Sequence, residues 1–197
     1  MRDFKHAIVL GAFSLVFGIA LAITGSLTAS AIVDRALEDR LNSLAQVIPA
    51  KLHDNNPVKD ALTMKNAEGK EITVYRALKD GKLIGVAYEV QGSGYAGSIK
   101  LMMGIDVEGR LLGVRVTSHK ETPGLGDKME EKKGDWILRF TGLSLGDPPI
   151  EKWKVKKDGG QFDQFAGATI TPRAVVGAVR GGMEFFASNK TQMTEVR

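Results

Sequence analysis

The hydrophobic pattern separates an apolar N-terminal run from a remainder in which apolar and polar positions alternate. Residues 7–33 form 27 consecutive positions without a charged side chain. As an α-helix, this run would be about 40 Å long, which is enough to cross a hydrocarbon layer of about 30 Å. We therefore predict a transmembrane helix over residues 7–33, preceded by a short head at residues 1–6.

A secretory signal peptide is the alternative interpretation of this run. Arg2 and Lys5 precede it, and residues 29–31 resemble a small-residue cleavage site. The run is longer than a typical signal core, so we predict an uncleaved anchor. Arg35 and Arg40 balance the two basic residues before the span, so charge alone does not set the orientation. The short head favours placement of the large domain on the outer side of the membrane.

Small side chains recur at every fourth position of the predicted span. They are Ser14, Gly18, Ala22, Ser26 and Ser30. A stripe of this kind lets a second helix approach closely, because lipid supplies no hydrophobic drive between helices. The general abundance of glycine, alanine and serine in membrane spans is the alternative. We predict that this face contacts membrane helices of other subunits.

Beyond the span, the pattern predicts a stalk helix and one α+β domain. Apolar residues between Val33 and Ile48 step by three or four, which is typical of an amphipathic helix over residues 34–48 that ends before Pro49. Residues 49–197 then form the soluble domain. Alternating segments predict four strands, at residues 72–79, 82–90, 98–106 and 111–119.

The turn signals between these strands predict two antiparallel hairpins. Asp80 and Gly81 connect the first pair, and residues 107–110 connect the second. Residues 153–155 are predicted as a further short strand. A final helix follows, with Thr171 as its N-cap and Pro172 at its first position. The fold class is α+β, with an antiparallel sheet and flanking helices.

Composition excludes several classes of function. The 27 basic and 23 acidic residues give a formal net charge of +4, too small an excess for a nucleic-acid-binding surface. The sequence has no cysteine, which excludes disulfides, thiolate zinc sites and cysteine-ligated iron–sulfur clusters. Three scattered histidines do not form a metal motif, so we expect no metal site.

Two glycine-rich segments are candidates for ligand contact. Residues 92–97 match G-x-G-x-x-G, but a strand is predicted after them where a dinucleotide fingerprint needs a helix. We predict a tight bend there. Residues 119–128 contain Pro123, Gly124 and Gly126. This segment is either an ordinary turn or a loop that exposes backbone N–H groups and sets Leu125 against a planar ligand.

Residues 162–172 carry the most informative pattern. Gly167 and Ala168 keep bulky side chains away, Thr169 presents a hydroxyl, and a helix begins immediately afterwards. Because a helix N-terminus offers unpaired N–H groups and a positive dipole end, a phosphate at Thr169 would be stabilised there. The alternative is a capped helix start in which Asp163 and Thr169 only form local turns.

This segment resembles the flavinylation motif of the FMN-binding domain family. In that family, the threonine that ends [ST]-G-A-T is joined to the FMN phosphate by a phosphoester bond, which implies Thr169 here. Ala166 stands at the first motif position, and we expect attachment to survive this change. The ETPGLG and GYAGSI segments are similar to those of the membrane-anchored members. These are the G-subunit family of the Rnf electron-transport complex and the C-subunit family of the sodium-translocating NADH:quinone reductase.

The resemblance also implies which side chains lie near the flavin. Four residues would lie along it: Glu121, Thr122, Gly124 and Leu125. Gly167, Ala168 and Thr171 would surround the phosphate end. Tyr95 would be a further ring contact, and a lysine within residues 152–157 would face the anionic flavin.

The compact length favours the Rnf family. The resemblance then implies an electron-carrying subunit of an ion-translocating ferredoxin:NAD oxidoreductase in the bacterial inner membrane, with its soluble domain in the periplasm. Its partners would be other membrane and iron–sulfur subunits, together with a flavin transferase that installs FMN, and no nucleic acid. Three alternatives stay open: the quinone-reductase subunit, a stand-alone membrane-tethered flavin reductase, and a non-redox sensor or assembly module.

Overall fold

The computed structural model describes residues 2–66 and 69–194, and the chain forms two compact units. The first unit is Met1–Leu41 and the second is Asn42–Arg197. Helix α1, Arg2–Val47, supplies the described part of the first unit and the start of the second. Within the described residues, the segment Ile8–Val47 of this helix is long and apolar enough to cross a membrane, judged by length and composition.

The second unit is built on a five-stranded antiparallel sheet with the strands in chain order. The strands are β1 (Leu62–Lys65), β2 (Glu71–Lys79), β3 (Lys82–Ser93), β4 (Ser98–Asp106) and β5 (Leu111–Ser118). The Asp80–Gly81 turn has positive φ at both residues, 50° and 71°, as a tight two-residue hairpin requires. The predicted α+β fold and both predicted hairpins are confirmed. Strand β1 was not predicted, because its four residues are too few to show alternation.

Helix α2, Ile170–Thr194, covers one face of the sheet. Its buried residues include Val179 and Met183, which belong to the same core cluster as Tyr88 and Met103 of the sheet. The Tyr88 hydroxyl donates a hydrogen bond to the carbonyl oxygen of Gly182 at 2.8 Å. Burial raises the pKa of Tyr88, so the phenol stays protonated and keeps this bond.

The end of α1 packs on the opposite face. Leu44, Val47 and Ile48 are buried in a second cluster with residues of β2, β3 and β4. The approach is close, since a Cβ built on Gly104 of β4 would lie 2.6 Å from the Val47 carbonyl oxygen. The sheet therefore has apolar cover on both faces, in agreement with its buried central strands.

Between β5 and α2 the chain forms short 3-10 turns around an aromatic cluster. The turns are Gly126–Met129, Glu131–Lys133, Trp136–Phe140, Ile150–Lys152 and Lys156–Asp158. The clustered rings are Trp136, Phe140, Trp153, Phe162 and Phe165, with neighbouring centroids 4.7–6.3 Å apart. This cluster fixes the segment that leads into α2.

Two local predictions were wrong. Residues 153–155 are not a strand: they lie between two 3-10 turns, and Val155 makes a single bridge to Phe162. Their alternating burial comes from Trp153, which packs among the aromatic rings, and from Val155, which is buried at its bridge to Phe162. Helix α2 begins at Ile170, so Thr171 lies inside the first turn and is not the N-cap. Its hydroxyl donates instead to a carboxylate from another loop.

Candidate functional site

Three loops of the second unit meet beside the start of α2. They are the turn between β3 and β4, the loop that follows β5, and the segment that leads into α2 together with the first turn of that helix. Glu121, from the second loop, links the other two: its Oε1 accepts the backbone N–H of Ala96 at 2.8 Å. Its Oε2 accepts the hydroxyl of Thr171. The three glycine-containing segments found in the sequence therefore form one region.

The Glu121 side chain is buried, with 5% of its surface exposed. Burial raises the pKa of this carboxyl, but the hydrogen bonds from the Thr171 hydroxyl and from the Ala96 and Tyr95 backbone together lower it by more. The net result is a pKa below the ordinary value. The Glu121 carboxylate is therefore ionised at neutral pH, and each of its oxygens accepts a hydrogen bond.

His119 extends this network away from α2. Its Nδ1 accepts the backbone N–H of Glu121 at 3.1 Å. Since Nδ1 accepts, the ring proton of the neutral imidazole is on Nε2, which lies 3.0 Å from Glu130 Oε1. Sequence reasoning missed this pair, because a histidine eleven residues before a glutamate shows no recognisable spacing.

Leu125 and Gly167 bring two of the loops into direct contact. A Cβ built on Gly167 would lie 3.1 Å from Leu125 Cδ2, and Gly167 has a φ of 80°. Gly124 has a φ of 79° and open space where a side chain would be. Leu125 keeps 41% of its surface exposed. The two loops thus leave an apolar side chain and bare backbone facing solvent, a surface suited to a flat ring.

Thr169 is exposed and directly precedes Ile170, the first residue of α2. The first backbone N–H groups of a helix have no partner within it and form its positive end. Arg173 Nη1 lies 3.5 Å from the Thr169 carbonyl oxygen. The Arg173 guanidinium is held by Asp158 in a two-point ion pair at 2.6 and 2.9 Å. Thr169 is thus an exposed hydroxyl-bearing residue at a helix N-terminus, and its carbonyl oxygen lies near a guanidinium that is paired with Asp158.

Asp163 fixes the start of the segment that carries Thr169. Its carboxylate pairs with Lys156 and with Arg139, and its carbonyl oxygen accepts the Trp136 indole N–H at 3.0 Å. The hydrogen bond from Lys156, followed by that from Arg139, holds the pKa of Asp163 below its ordinary value despite some desolvation. The ammonium of Lys156, one of the lysines within residues 152–157, is therefore already paired with the Asp163 carboxylate.

The remaining candidates differ in how they are placed. Tyr95 is 76% exposed at the tip of the β3–β4 turn, where the Gly94 N–H bonds to the Gly97 carbonyl oxygen at 2.8 Å. This turn joins two strands of a hairpin, so residues 92–97 are not a dinucleotide fingerprint. Thr122 is exposed and Ala168 is half-buried, whereas Thr171 is buried. The flavin contacts of these residues stay predictions.

Comparison with known proteins agrees with this geometry. The family model of the FMN-binding domain matches residues 94–184, which include all three loops and the first part of α2. The G subunit of the ion-translocating oxidoreductase complex of Cereibacter sphaeroides is 47% identical over 197 residues, covering 98% of this chain and 90% of the relative. The chain belongs to the G-subunit family of ion-translocating oxidoreductase complexes.

Other members of the G-subunit family show similar coverage. The protein from Stutzerimonas stutzeri is 50% identical over 186 residues, with 94% of this chain and 82% of the relative covered. Among solved structures, the crystal structure of Shewanella oneidensis NqrC matches with a TM-score of 0.51 and 24% identity, covering 77% of this chain and 73% of that chain. That likeness supports the fold seen here for a member of the G-subunit family.

Proposed function

We propose that this chain is the electron-carrying subunit of a membrane-bound, ion-translocating ferredoxin:NAD oxidoreductase complex, and that Thr169 holds FMN through a phosphoester bond. The observation that carries the proposal is the position of Thr169: an exposed hydroxyl at the N-terminus of α2, beside Arg173, inside the span matched by the FMN-binding domain model. Membership of the G-subunit family and the match to the FMN-binding domain support this proposal.

The residues around Thr169 have distinct roles in this proposal. Bound FMN would supply one- and two-electron redox chemistry. The N–H groups at the start of α2 and the Arg173 guanidinium stabilise the phosphate, while Gly167 and Ala168 keep the attachment point open. Leu125 would pack against the ring, and Gly124 would let the backbone approach it. Thr122 and Tyr95 would be further ring contacts, and Glu121 connects the loops through its hydrogen bonds.

The proposal also assigns the chain a place in the membrane. Helix α1 anchors it in the bacterial inner membrane, with the soluble domain on the periplasmic side. The small-residue face of the span contacts membrane helices of other subunits of the complex, which supply the iron–sulfur centres and the ion path. A flavin transferase recognises the segment around Thr169 and transfers FMN to it from an activated flavin phosphate: the Thr169 oxygen forms the new P–O bond, the donor's own P–O bond to its leaving group breaks, and the hydroxyl proton is lost. The composition argues against a role for nucleic acid.

Intact mass measurement tests the attachment site. The full-length chain is produced in a bacterial host that contains a flavin transferase, then denatured and weighed. We expect a mass increase of one FMN less one water, with flavin fluorescence on a denaturing gel. Thr169→Ala should lose both signals, and Thr169→Ser, which keeps a hydroxyl, should retain them. An unmodified wild-type mass would refute the covalent linkage.

Turnover by the isolated chain separates this proposal from the stand-alone reductase. A relay subunit receives and releases electrons through neighbouring subunits, so the purified flavinylated chain should not oxidise reduced nicotinamide cofactors at a catalytic rate. Steady turnover with NADH or NADPH and a soluble acceptor would favour the reductase instead.

A further inference from the structure

The buried carboxylate of Glu121 lies where the three loops converge. One oxygen binds the β3–β4 turn through the Ala96 N–H, and the other binds the first turn of α2 through the Thr171 hydroxyl. The residue is 5% exposed, so its carboxylate is shielded from solvent by the loops around it. Glu121 is thus placed to connect loops, and its charge is satisfied by donors from this chain.

Two glycines make room for this side chain. A Cβ on Gly94 would lie 2.6 Å from Glu121 Oε1, and a Cβ on Gly126 would lie 2.7 Å from Glu121 Cβ. The same Cβ on Gly126 would also lie 2.9 Å from Thr171 Oγ1. Real Cβ atoms do not approach other atoms this closely, so the loops close around Glu121 only because both positions are glycine.

The two groups that donate hydrogen bonds to Glu121, and Gly126, which lies close to its Cβ, are near in sequence to residues expected to contact FMN. Ala96 follows Tyr95, Gly126 follows Leu125, and Thr171 is two residues after Thr169. We therefore expect a displaced Glu121 carboxylate to disturb the positions of these three residues.

We propose that Glu121 is a positioning residue: through Thr171 and Ala96 it sets the geometry in which Thr169 is flavinylated, and its charge sets the environment of the attached flavin. This inference depends on the proposed function. The hydroxyl of Thr171 donates, so its partner must accept. A glutamine at position 121 presents an amide N–H₂ to one of the two donors, and that contact is lost.

Two test substitutions, Thr171→Val and Glu121→Gln, separate a positioning role from a purely structural one, and each has a control. Thr171→Val is nearly isosteric and removes only the hydroxyl, whereas Thr171→Ser keeps it. Glu121→Gln removes the charge with little change in volume. Glu89→Gln is the matched control, because Glu89 is an exposed strand residue whose carboxylate pairs with Lys100. Each full-length variant is produced with a flavin transferase, and the rate of covalent FMN incorporation is followed by intact mass.

We expect Thr171→Val and Glu121→Gln to slow incorporation by about tenfold or more, because misplacement of a reacting group by an ångström has effects of this size. Thr171→Ser and Glu89→Gln should match wild type. Once flavinylated, Glu121→Gln should have a higher flavin midpoint potential, since a neighbouring negative charge disfavours the addition of electrons. Glu89→Gln should leave the potential unchanged. The potential is a readout that a merely structural role would not move.

Thermal unfolding of each variant completes the test. If Thr171→Val and Glu121→Gln incorporate FMN within about twofold of the wild-type rate, and the potential of Glu121→Gln is unchanged, Glu121 is structural only and the inference is wrong. If Glu121→Gln does not fold, the Thr171→Val and Thr171→Ser pair decides. A wild-type chain without FMN would instead refute the proposed function, and this inference with it.

Discussion

Among single residues, Glu121 depends on contacts that two separate parts of the chain supply. Its ionised form is stabilised by donors that exist only when the loops are assembled, so its folded-state pKa lies below the ordinary value of 4.5. A lowered pKa contributes stability that is fully present above the unfolded-state value and is lost as the pH falls through the folded-state value. The contribution of Glu121 to the free energy of unfolding is therefore complete at neutral pH and disappears in acid.

We predict that the acid sensitivity of the soluble domain decreases in Glu121→Gln. The melting temperature of the detergent-solubilised chain, measured between about pH 6 and pH 3, should fall less steeply in this variant than in wild type. Glu89→Gln should keep the wild-type slope, because the exposed Glu89–Lys100 pair is weak. Equal slopes in all three proteins would contradict the assignment of Glu121 as an ionised, buried acceptor.

The motif departure at Ala166 allows a second prediction at this scale. Ala166 is exposed and precedes Gly167, so a hydroxyl there would extend into solvent near the proposed phosphate site. Ala166→Thr should leave the final extent of FMN attachment at Thr169 unchanged, and it should not slow incorporation. A time course of intact mass in parallel with wild type measures both quantities. Lost attachment would show that a larger side chain at position 166 blocks the site.

Secondary-structure elements are held together by close backbone approaches. The end of α1 lies so near β4 that a Cβ on Gly104 would be 2.6 Å from the Val47 carbonyl oxygen and 3.0 Å from Ile48 Cγ1. In α2, by contrast, a Cβ on Gly181 meets nothing within 4 Å. The same residue type therefore has opposite requirements at the two positions.

We predict opposite effects of alanine at these glycines. Gly104→Ala should lower the free energy of unfolding by about 1–3 kcal/mol through overpacking. Gly181→Ala should raise it by about 0.5–1 kcal/mol, because alanine favours the helix and finds free space. Denaturant unfolding of the solubilised chain measures both changes. Stabilisation by Gly104→Ala would contradict the close approach of α1 to the sheet.

The difference between local sequence signals and contacts between distant residues explains which features could be predicted from the sequence. The hairpins follow from alternation and from an Asp-Gly turn, which are local signals, and they were predicted. The region between β5 and α2 has no regular period, because its 3-10 turns are ordered by an aromatic cluster, so a false strand was predicted at residues 153–155. The region of the site was found through its glycines and Thr169. The Glu121–Thr171 link was not, since no local pattern reports a contact between residues 50 positions apart.

For the whole molecule, the N-terminal boundary of the folded domain determines which fragments can fold. The second unit begins at Asn42, inside the predicted stalk over residues 34–48. Leu44, Val47 and Ile48 are buried against the sheet. A soluble fragment must therefore include these residues, although the hydrophobic pattern alone assigns them to a helix outside the domain.

We predict that a fragment of residues 42–197 folds and that one of residues 50–197 is strongly destabilised. Removal of three buried side chains costs about 4.5–9 kcal/mol at the usual 1.5–3 kcal/mol each, and it exposes one face of the sheet. Thermal unfolding and gel filtration of the two fragments test this. Equal stability would show that the end of α1 is dispensable for the domain.

The position of α2 in the chain has a consequence for biosynthesis. The five strands pair in sequence order, whereas Thr171 lies in the last helix, 50 positions after Glu121, so their hydrogen bond requires nearly the whole chain. The proposed acceptor, Thr169, therefore has its final surroundings only in a chain that is complete through α2. A maturation enzyme that acts on this setting would distinguish finished chains from incomplete ones, so that the cofactor marks those that have passed the last step of folding.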